Sequence, residues 1–238
     1  MLAGFPFTTV MSLGVDCRVR FQLSRYFEAR RAVPPADGSD LQAETRGPVL
    51  KGTNLFDWNI CWFSSVIDCL ESRFADLFLQ ENLQPLASDP NVVIDTRYDI
   101  RFFHLFHRAA LPSFETMIAA QYAETSRKVT YLKTKLLDHL NAANPTLYIR
   151  CQGRESEAQD FCRAVRKTYP QHQFHLVLVD VRDATGGFVA HHDDYSIYRM
   201  TGQVNKPAAA AWSGDDAEWN ALFGAIADVA ALPAQPRY

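Results

Sequence analysis

Apolar residues follow two kinds of pattern along this chain, short continuous runs and helical periodicity. The run TTVMSLG (8–14) ends in glycine, which predicts a strand followed by a sharp turn. In the segment after it, Val19 and Leu23 lie at helical spacing, so we expect a helix that begins near Asp16 or Cys17. The first strand is therefore predicted to lead directly into a helix.

Further along the chain, apolar runs alternate with longer amphipathic segments. TLYIR (146–150) and HLVLVDV (175–181) are continuous runs, typical of strands that helices cover on both faces. Residues 92–106 alternate with a period of two, which predicts a pair of short strands. A further short strand is predicted at 196–202, and helices are predicted at 60–78, 113–143, 155–170 and 215–232.

Strands that alternate with helices indicate parallel pairing and a layered α/β domain. We therefore expect one α/β domain over residues 1–238, with three α/β/α layers around a mainly parallel sheet. Residues 32–53 are rich in proline, glycine and polar side chains, which predicts a flexible insertion in that domain.

The overall charge excludes some classes of partner. A formal net charge of −3 gives no basic surface for nucleic acid or for an anionic membrane. No apolar run approaches the roughly eighteen residues of a membrane span. The N-terminal sequence also lacks the basic start and long apolar stretch of a secretory signal. We expect a cytoplasmic protein that binds neither nucleic acid nor membrane.

The cysteines favour reduced thiols over disulfides. The chain has five, without any CxxC pair: Cys17, Cys61, Cys69, Cys151 and Cys162. An odd number and a wide spread also argue against a structural zinc site. Cys17 alone lies where a predicted strand meets a predicted helix, and a helix N-terminus lowers the pKa of a thiol and can hold an oxyanion. Cys17 is thus either a reactive nucleophile or a small residue packed against the sheet.

A cysteine nucleophile needs a base, usually histidine. His104 and His107 lie just past the alternating segment. His191 and His192 lie in a predicted loop after the strand at 175–181, which would also place them at a carboxyl end of the sheet. The sequence leaves open which histidine faces Cys17. The stretch HHDDY also resembles a loose metal-ligand cluster, but its spacing is not that of a typical metal site.

Three charged residues have two interpretations each. Asp57, between two aromatic residues, either orients a histidine or caps a helix that starts near Asn59. Arg150, at the end of a predicted strand, either grips a substrate carboxylate or phosphate or forms a salt bridge. Arg127, within the long predicted helix, has the same two interpretations.

Several short stretches, SLGVDCRVRFQL, LFDW, FADLF, YDIRFFHLF and LYIR, resemble a bacterial family labelled papain-like cysteine peptidase, a domain of unknown function. The resemblance covers roughly residues 8–180. It implies roles for the residues that match the family pattern, which are Cys17, Asp57, His104, Arg127 and Arg150. Leu55 departs from that pattern, because the family has proline there. The alternation of strands and helices favours an SGNH-like or flavodoxin-like layout over a true papain fold.

Two functions are compatible with these patterns. The first is a cysteine hydrolase or acyltransferase, peptidase-like, that acts on a small-molecule, peptide or acyl substrate without cofactor or metal. Its predicted catalytic residues are Cys17, His104 and Asp57, and its predicted substrate-binding residues are Arg127, Arg150 and His192. The alternative is a non-catalytic binding module for a phosphorylated or carboxylated ligand, built from arginines and helix N-termini.

Overall fold

A computed structural model of the protein describes residues 7–31, 53–107, 111, 113–181, 186–202 and 212–231. The strands are β1 (Thr9–Ser12), β2 (Asn59–Cys61), β3 (Leu83–Leu86), β4 (Asp89–Asp95), β5 (Ile100–Phe102), β6 (Thr146–Cys151), β7 (Phe174–Val181), β8 (Gly187–His191) and β9 (Tyr195–Met200). The α-helices are α1 (Arg18–Arg31), α2 (Phe63–Glu71), α3 (Phe114–Asn141), α4 (Glu155–Thr168) and α5 (Asp216–Ala231). Of the insertion predicted at 32–53, only Thr53 lies within the described residues.

The larger sheet, sheet A, has five strands in the order β1-β6-β7-β9-β8. The first four are mutually parallel, and β8 joins the edge antiparallel to β9. All six residues of β6 are buried, as the continuous apolar run in the sequence predicted. The prediction of an α/β fold with a mainly parallel sheet is therefore confirmed.

Helices cover both faces of sheet A. On one face, Val19 of α1 and Trp219 of α5 pack with Leu147 and Val177 of the central strands. On the other face, Tyr148 and Leu176 pack with residues of α2, α3 and α4. Alternate strand residues therefore point to two separate apolar clusters, as pleated strands require. This arrangement is compatible with three α/β/α layers.

The smaller sheet, sheet B, is antiparallel and has the order β2-β5-β4-β3. The strand pair predicted at 92–106 is confirmed as β4 and β5, which pair antiparallel through Val93–Phe102 and Asp95–Ile100. The sequence did not predict β2 or β3, which are three and four residues long. Sheet B carries His104 just past its strand β5, and so it contributes to the site described below.

The helix predicted at 60–78 was too long. Its observed counterpart, α2, ends at Glu71, and Arg73 and Phe74 then adopt positive φ angles of +53° and +59°. The Phe74 amide donates to the Cys69 carbonyl at 2.7 Å, which satisfies the helix end, and the Phe74 side chain becomes buried. Because this conformation buries the Phe74 ring, it is favoured over a longer helix that continues past Glu71.

The segment around His191 was also predicted wrongly as a loop. Gly187–His191 form the edge strand β8, and His192 lies in the connection to β9. Glycine at the start of this strand hides its pattern, because glycine is depleted in strands and common in loops.

Within the described ranges, no helix is both long and apolar enough to cross a membrane.

Candidate active site

The turn between β1 and α1 brings Cys17 to the carboxyl end of the first strand. Gly14 and Val15 both have positive φ, +78° and +85°. A Cβ atom on Gly14 would lie 2.5 Å from the Cys61 sulfur, so the position requires glycine. Positive φ is costly for a β-branched residue such as Val15, and strain of this kind concentrates at functional sites.

Cys17 occupies the N-cap position of α1. Its carbonyl accepts the first helical hydrogen bond, from the Phe21 amide at 2.9 Å. The Arg18 amide donates to the Asp16 carboxylate at 2.8 Å. N-cap side chains lie beside the free N–H groups of the first helical turn. The Cys17 thiol therefore lies where a helix offers hydrogen-bond donors to an anion.

His104 faces this thiol. The Cys17 Sγ and the His104 Nε2 are 3.5 Å apart, although the two residues are 87 positions apart in the chain. The His104 ring is exposed and stands edge-on to the Trp58 ring, with 6.0 Å between the ring centroids. A thiol and an imidazole at this distance can exchange a proton. Among the histidines that the sequence left as candidate bases, His104 is the one that lies beside Cys17.

The electrostatics of Cys17 differ from the expectation for a helix N-terminus. Burial raises the pKa of the Cys17 thiol, the Asp16 carboxylate raises it further, and the backbone amide of Cys17 lowers it. The resting thiol is therefore neutral at neutral pH. For Cys17 to act as a nucleophile, His104 must take its proton as the sulfur attacks.

Cys17 is half-buried, whereas the other four cysteines are buried. Burial raises the pKa of the Cys151 thiol to about 11 and that of the Cys162 thiol to about 12. It also raises the pKa values of Cys61 and Cys69. Cys17 is thus the cysteine that a reagent in solution can reach while the protein is folded.

Asp57 does not hydrogen-bond to His104, contrary to the role expected of it. Both residues are described, and no hydrogen bond joins them; instead, the Asn54 amide and side chain donate to the Asp57 carboxylate at 2.7 and 2.6 Å. Arg20 of α1 lies 3.6 Å from the same carboxylate. Burial raises the pKa of Asp57 to about 7, against the opposing effects of the Asn54 amide and of Arg20 and Lys135. Asp57 therefore closes its own turn and ties it to the helix that follows Cys17.

Arg150 is buried and binds backbone carbonyls. Its guanidinium donates to the Leu13 carbonyl at 2.7 Å, the Cys61 carbonyl at 3.0 Å and the Gln152 carbonyl at 3.3 Å. It also lies over the Phe63 ring, 5.0 Å from the centroid. Because these carbonyls occupy its fork and only 2 % of the residue is exposed, the structure does not offer Arg150 to a substrate. Its contacts join the ends of β1, β2 and β6.

The other predicted substrate-binding residues lie elsewhere. Arg127 is exposed on α3. His192 stacks on Tyr195 and lies 3.3 Å from Glu155, and His191 contacts the Ser196 hydroxyl at 3.0 Å. Two strands separate β9 from β1, which at ~4.8 Å per strand places their axes about 14 Å apart. These histidines therefore belong to the far edge of sheet A.

Metal binding was the weaker interpretation of HHDDY. Among the described residues, no group of three or more His, Cys, Asp or Glu side chains is arranged to hold a metal ion. The residues of this stretch have protein partners instead; Asp194, for example, pairs with Arg166 of α4.

Asn54 and Trp58 also belong to the site, although the sequence did not predict them there. Asn54 donates to Asp57 and to the Ser12 carbonyl, and its own side-chain oxygen accepts from the Phe56 amide. Asparagine three residues before aspartate is a local signal for such a side-chain-closed turn. No local signal connects Trp58 with His104, because their contact depends on the pairing of β2 with β5.

No protein-family model matches this chain, and neither a curated protein nor a solved structure matches it. The resemblance to papain-like peptidases therefore stays a prediction, and the geometry of the described residues is what carries the functional argument.

Proposed function

We propose that this protein is a cysteine hydrolase or acyltransferase in which Cys17 is the nucleophile and His104 is the general base. The observation that carries the proposal is the distance of 3.5 Å between the Cys17 Sγ and the His104 Nε2. The two residues come from different sheets, so their meeting depends on the whole fold. The accessibility of Cys17, in contrast to the four buried cysteines, supports the same assignment.

The first turn of α1 supplies the oxyanion donors in this proposal. Two of its amides are occupied, since Arg18 donates to Asp16 and Phe21 donates to the Cys17 carbonyl. The Val19 amide belongs to the same turn, where intrahelical acceptors are missing by geometry. We assign the oxyanion to the amides of Val19 and of Cys17 itself, because preorganised N–H groups stabilise the charge that develops on a carbonyl oxygen.

The proposed reaction begins when the Cys17 sulfur attacks a carbonyl carbon while its proton passes to the His104 Nε2. The bond from that carbon to the leaving group then breaks, and the leaving group takes the proton from His104. Water or another nucleophile, deprotonated by His104, then attacks the acyl carbon; the carbon–sulfur bond breaks, and His104 returns the proton to the Cys17 sulfur. A hydrolase uses water in this last step, and an acyltransferase uses an acceptor.

Asp57 and Arg150 act as positioning residues in this proposal. Asp57 ties the turn before Trp58 to α1 through Arg20, and Trp58 contacts His104. Arg150 joins the chain before Cys17 to the end of β2. The reaction steps use only side chains, backbone amides and water. Five free thiols are also consistent with the reducing cytoplasm that we propose as its compartment.

The finer layout of the fold is a separate prediction. In flavodoxin-like order the first strand lies inside the sheet, whereas β1 is an edge strand of sheet A among the described strands. The proposed catalysis therefore does not depend on an SGNH-like or flavodoxin-like layout of the sheet.

Site-resolved acylation tests the proposal. The wild type is treated with 4-nitrophenyl acetate, and the acetylation rate of each cysteine is read by peptide mass spectrometry. We expect Cys17 to react selectively and His104→Ala to slow it by roughly 10²-fold or more, the usual contribution of a general base. His107→Ala is the matched control, because this exposed histidine bonds the Gln121 side chain through its backbone amide and carbonyl, which the substitution keeps.

Equal labelling of Cys17 in the wild type and in His104→Ala would contradict the assignment of the base. A Cys17 that labels no faster than the buried cysteines would instead favour the non-catalytic binding module. Release of more than one equivalent of 4-nitrophenolate per protein identifies turnover, and added amine acceptors then separate an acyltransferase from a hydrolase.

A further inference from the structure

Two aromatic rings lie at the first turn of α1, which follows Cys17 directly. Phe21 follows Cys17 by four positions, so both lie on the same side of the first turn. The Phe21 ring stands edge-on to the Trp212 ring, with 5.1 Å between centroids. Arg18 fixes the Trp212 backbone to this turn by donating to its carbonyl at 2.7 Å. Trp212 nevertheless remains 48 % exposed.

Two more aromatic rings adjoin the candidate base. Phe103 directly precedes His104 and is 39 % exposed. Trp58 contacts the His104 ring edge-on. Pairing of Asn59 with Phe102 places Trp58 and Phe103 at the same end of β2 and β5. Aromatic side chains therefore adjoin the thiol–imidazole pair from both sheets.

Exposed large apolar side chains are ordinary when they are scattered singly over a surface, but a group of them marks a binding surface. Trp212 and Phe103 are two of the seven large exposed hydrophobic residues among the described part of the chain; Trp212 contacts the first turn of α1, and Phe103 directly precedes His104. The charged residues on either side of Cys17 in the chain, Asp16 and Arg18, pair with each other at 3.6 Å. The surroundings of the pair therefore suit a neutral, apolar group better than an anion.

We propose that the Cys17–His104 pair accepts acyl groups with an apolar chain, and that Trp212 and Phe103 form the surface that receives the chain. This inference rests on the proposed function and specifies its substrate class. Phe21 packs edge-on against the Trp212 ring, and Trp58 packs edge-on against the imidazole of His104. A carboxylated or phosphorylated acyl group gains nothing from this surface.

A series of 4-nitrophenyl esters tests the inference, from acetate through butyrate to hexanoate. In each case the bond between Cys17 Sγ and the acyl carbon forms, the bond to the aryl oxygen breaks, and 4-nitrophenolate leaves; the thiol proton passes to His104 and then to water. Each rate is divided by that of N-acetylcysteine with the same ester, which removes intrinsic reactivity. The normalised rate is expected to rise with chain length, by up to ~4-fold for each methylene that becomes buried.

Trp212→Ala is expected to reduce the hexanoate-to-acetate ratio at least severalfold, and Trp212→Phe to preserve most of it. Phe103→Ala should also lower the ratio. The matched control is Tyr131→Ala, which removes a 65 % exposed aromatic ring on α3 and should leave the ratio at its wild-type value.

Two failures can be distinguished in this experiment. If Cys17 is not acylated even by the acetate ester, the proposed function fails. If acetate reacts at Cys17 but the normalised rate is flat or falls with chain length, or if Trp212→Ala keeps the wild-type ratio, the function stands and the apolar acyl surface is overturned.

Discussion

Sheet A and sheet B bury their strands in different ways. The central strands of sheet A are apolar on both faces, and helices cover each face. Sheet B is antiparallel, and its two faces are buried to different degrees. On one face, the paired residues of β2, β5 and β4 are partly exposed: Ile60, Arg101 and Ile94. On the other face, the next set of paired residues is buried: Cys61, Ile100 and Asp95. Sheet A therefore has the strands of a buried core, and sheet B those of a half-covered surface.

Each sheet supplies one half of the candidate pair. Sheet A holds Cys17 at the end of its first strand, on a strained turn and a helix N-terminus. Sheet B holds His104 just past β5, on a short exposed stretch. The proposed chemistry therefore depends on the junction of the two sheets, and substitutions at that junction and on each side of it test this dependence.

The largest effect is expected from Arg150, which joins the sheets. Arg150→Ala removes hydrogen bonds to three carbonyls and leaves a cavity, so we expect the free energy of unfolding to fall by about 5 kcal/mol. Chemical denaturation measures this loss. Arg150→Lys keeps the charge but loses the planar fork, and should lose about half as much.

Arg127→Ala is the matched control for Arg150, since it removes an exposed arginine from α3. It should change the stability by no more than about 0.5 kcal/mol. A loss of less than 1 kcal/mol in Arg150→Ala, on the order of a single hydrogen bond, would show that other contacts hold the two sheets together.

The next effect concerns Asp57, which ties the turn before sheet B to α1. Its pKa is raised from 3.8 to about 7, so between these values the folded state binds more protons than the unfolded state. Stability should therefore fall as the pH rises through this window and level off above it. At about 1.4 kcal/mol per pKa unit, the total change is on the order of 4 kcal/mol.

Denaturation of the wild type and of Asp57→Asn at several pH values measures this contribution. The Asn variant lacks the titrating group and should lose most of the pH dependence in the window. Burial also raises the pKa of Asp95, so only the difference between wild type and variant reports on Asp57. The exposed Asp68→Asn should keep the wild-type slope. A wild-type stability that rises with pH would mean that the Asn54 and Arg20 contacts keep Asp57 ionised.

The sequence predicted sheet A better than sheet B for a physical reason. Continuous apolar runs such as those of β6 and β7 follow from burial on both faces and can be read locally. The three residues of β2 are too few to show a period, and they become a strand only by pairing with β5. The strand β8 begins with glycine, and the sequence therefore predicted a loop at this position.

The candidate site, like the fold, was predictable from the sequence only where the signal is local. Cys17 has a local signal, because an apolar run, a glycine and a helical pattern meet there. The partner of Cys17 has none, since His104 and His192 each follow a strand and His191 ends one, and only the order of the strands separates them. The role of Arg150 is equally non-local, because its acceptors Leu13 and Cys61 are 137 and 89 residues away.

The smallest effect is expected from Asp16→Asn, which changes only the surroundings of the Cys17 thiol at the end of sheet A. The Asp16 carboxylate raises the pKa of the Cys17 thiol, so Asp16→Asn should lower that pKa. Asparagine keeps an oxygen for the Arg18 amide, and the helix cap therefore survives. Removal of one neighbouring negative charge should raise the iodoacetamide alkylation rate of Cys17 near pH 7 by roughly threefold to tenfold.

Asp89→Asn is the control for Asp16→Asn, because Asp89 accepts a similar backbone hydrogen bond, from the Asn91 amide at the start of β4. It should leave the alkylation rate of Cys17 unchanged. The same Asp16→Asn increase should appear in a His104→Ala background, because the carboxylate acts on the sulfur directly and not through the base. If His104→Ala abolishes the increase, Asp16 acts through the imidazole, and the two sheets do not contribute independently to the ionisation of the thiol.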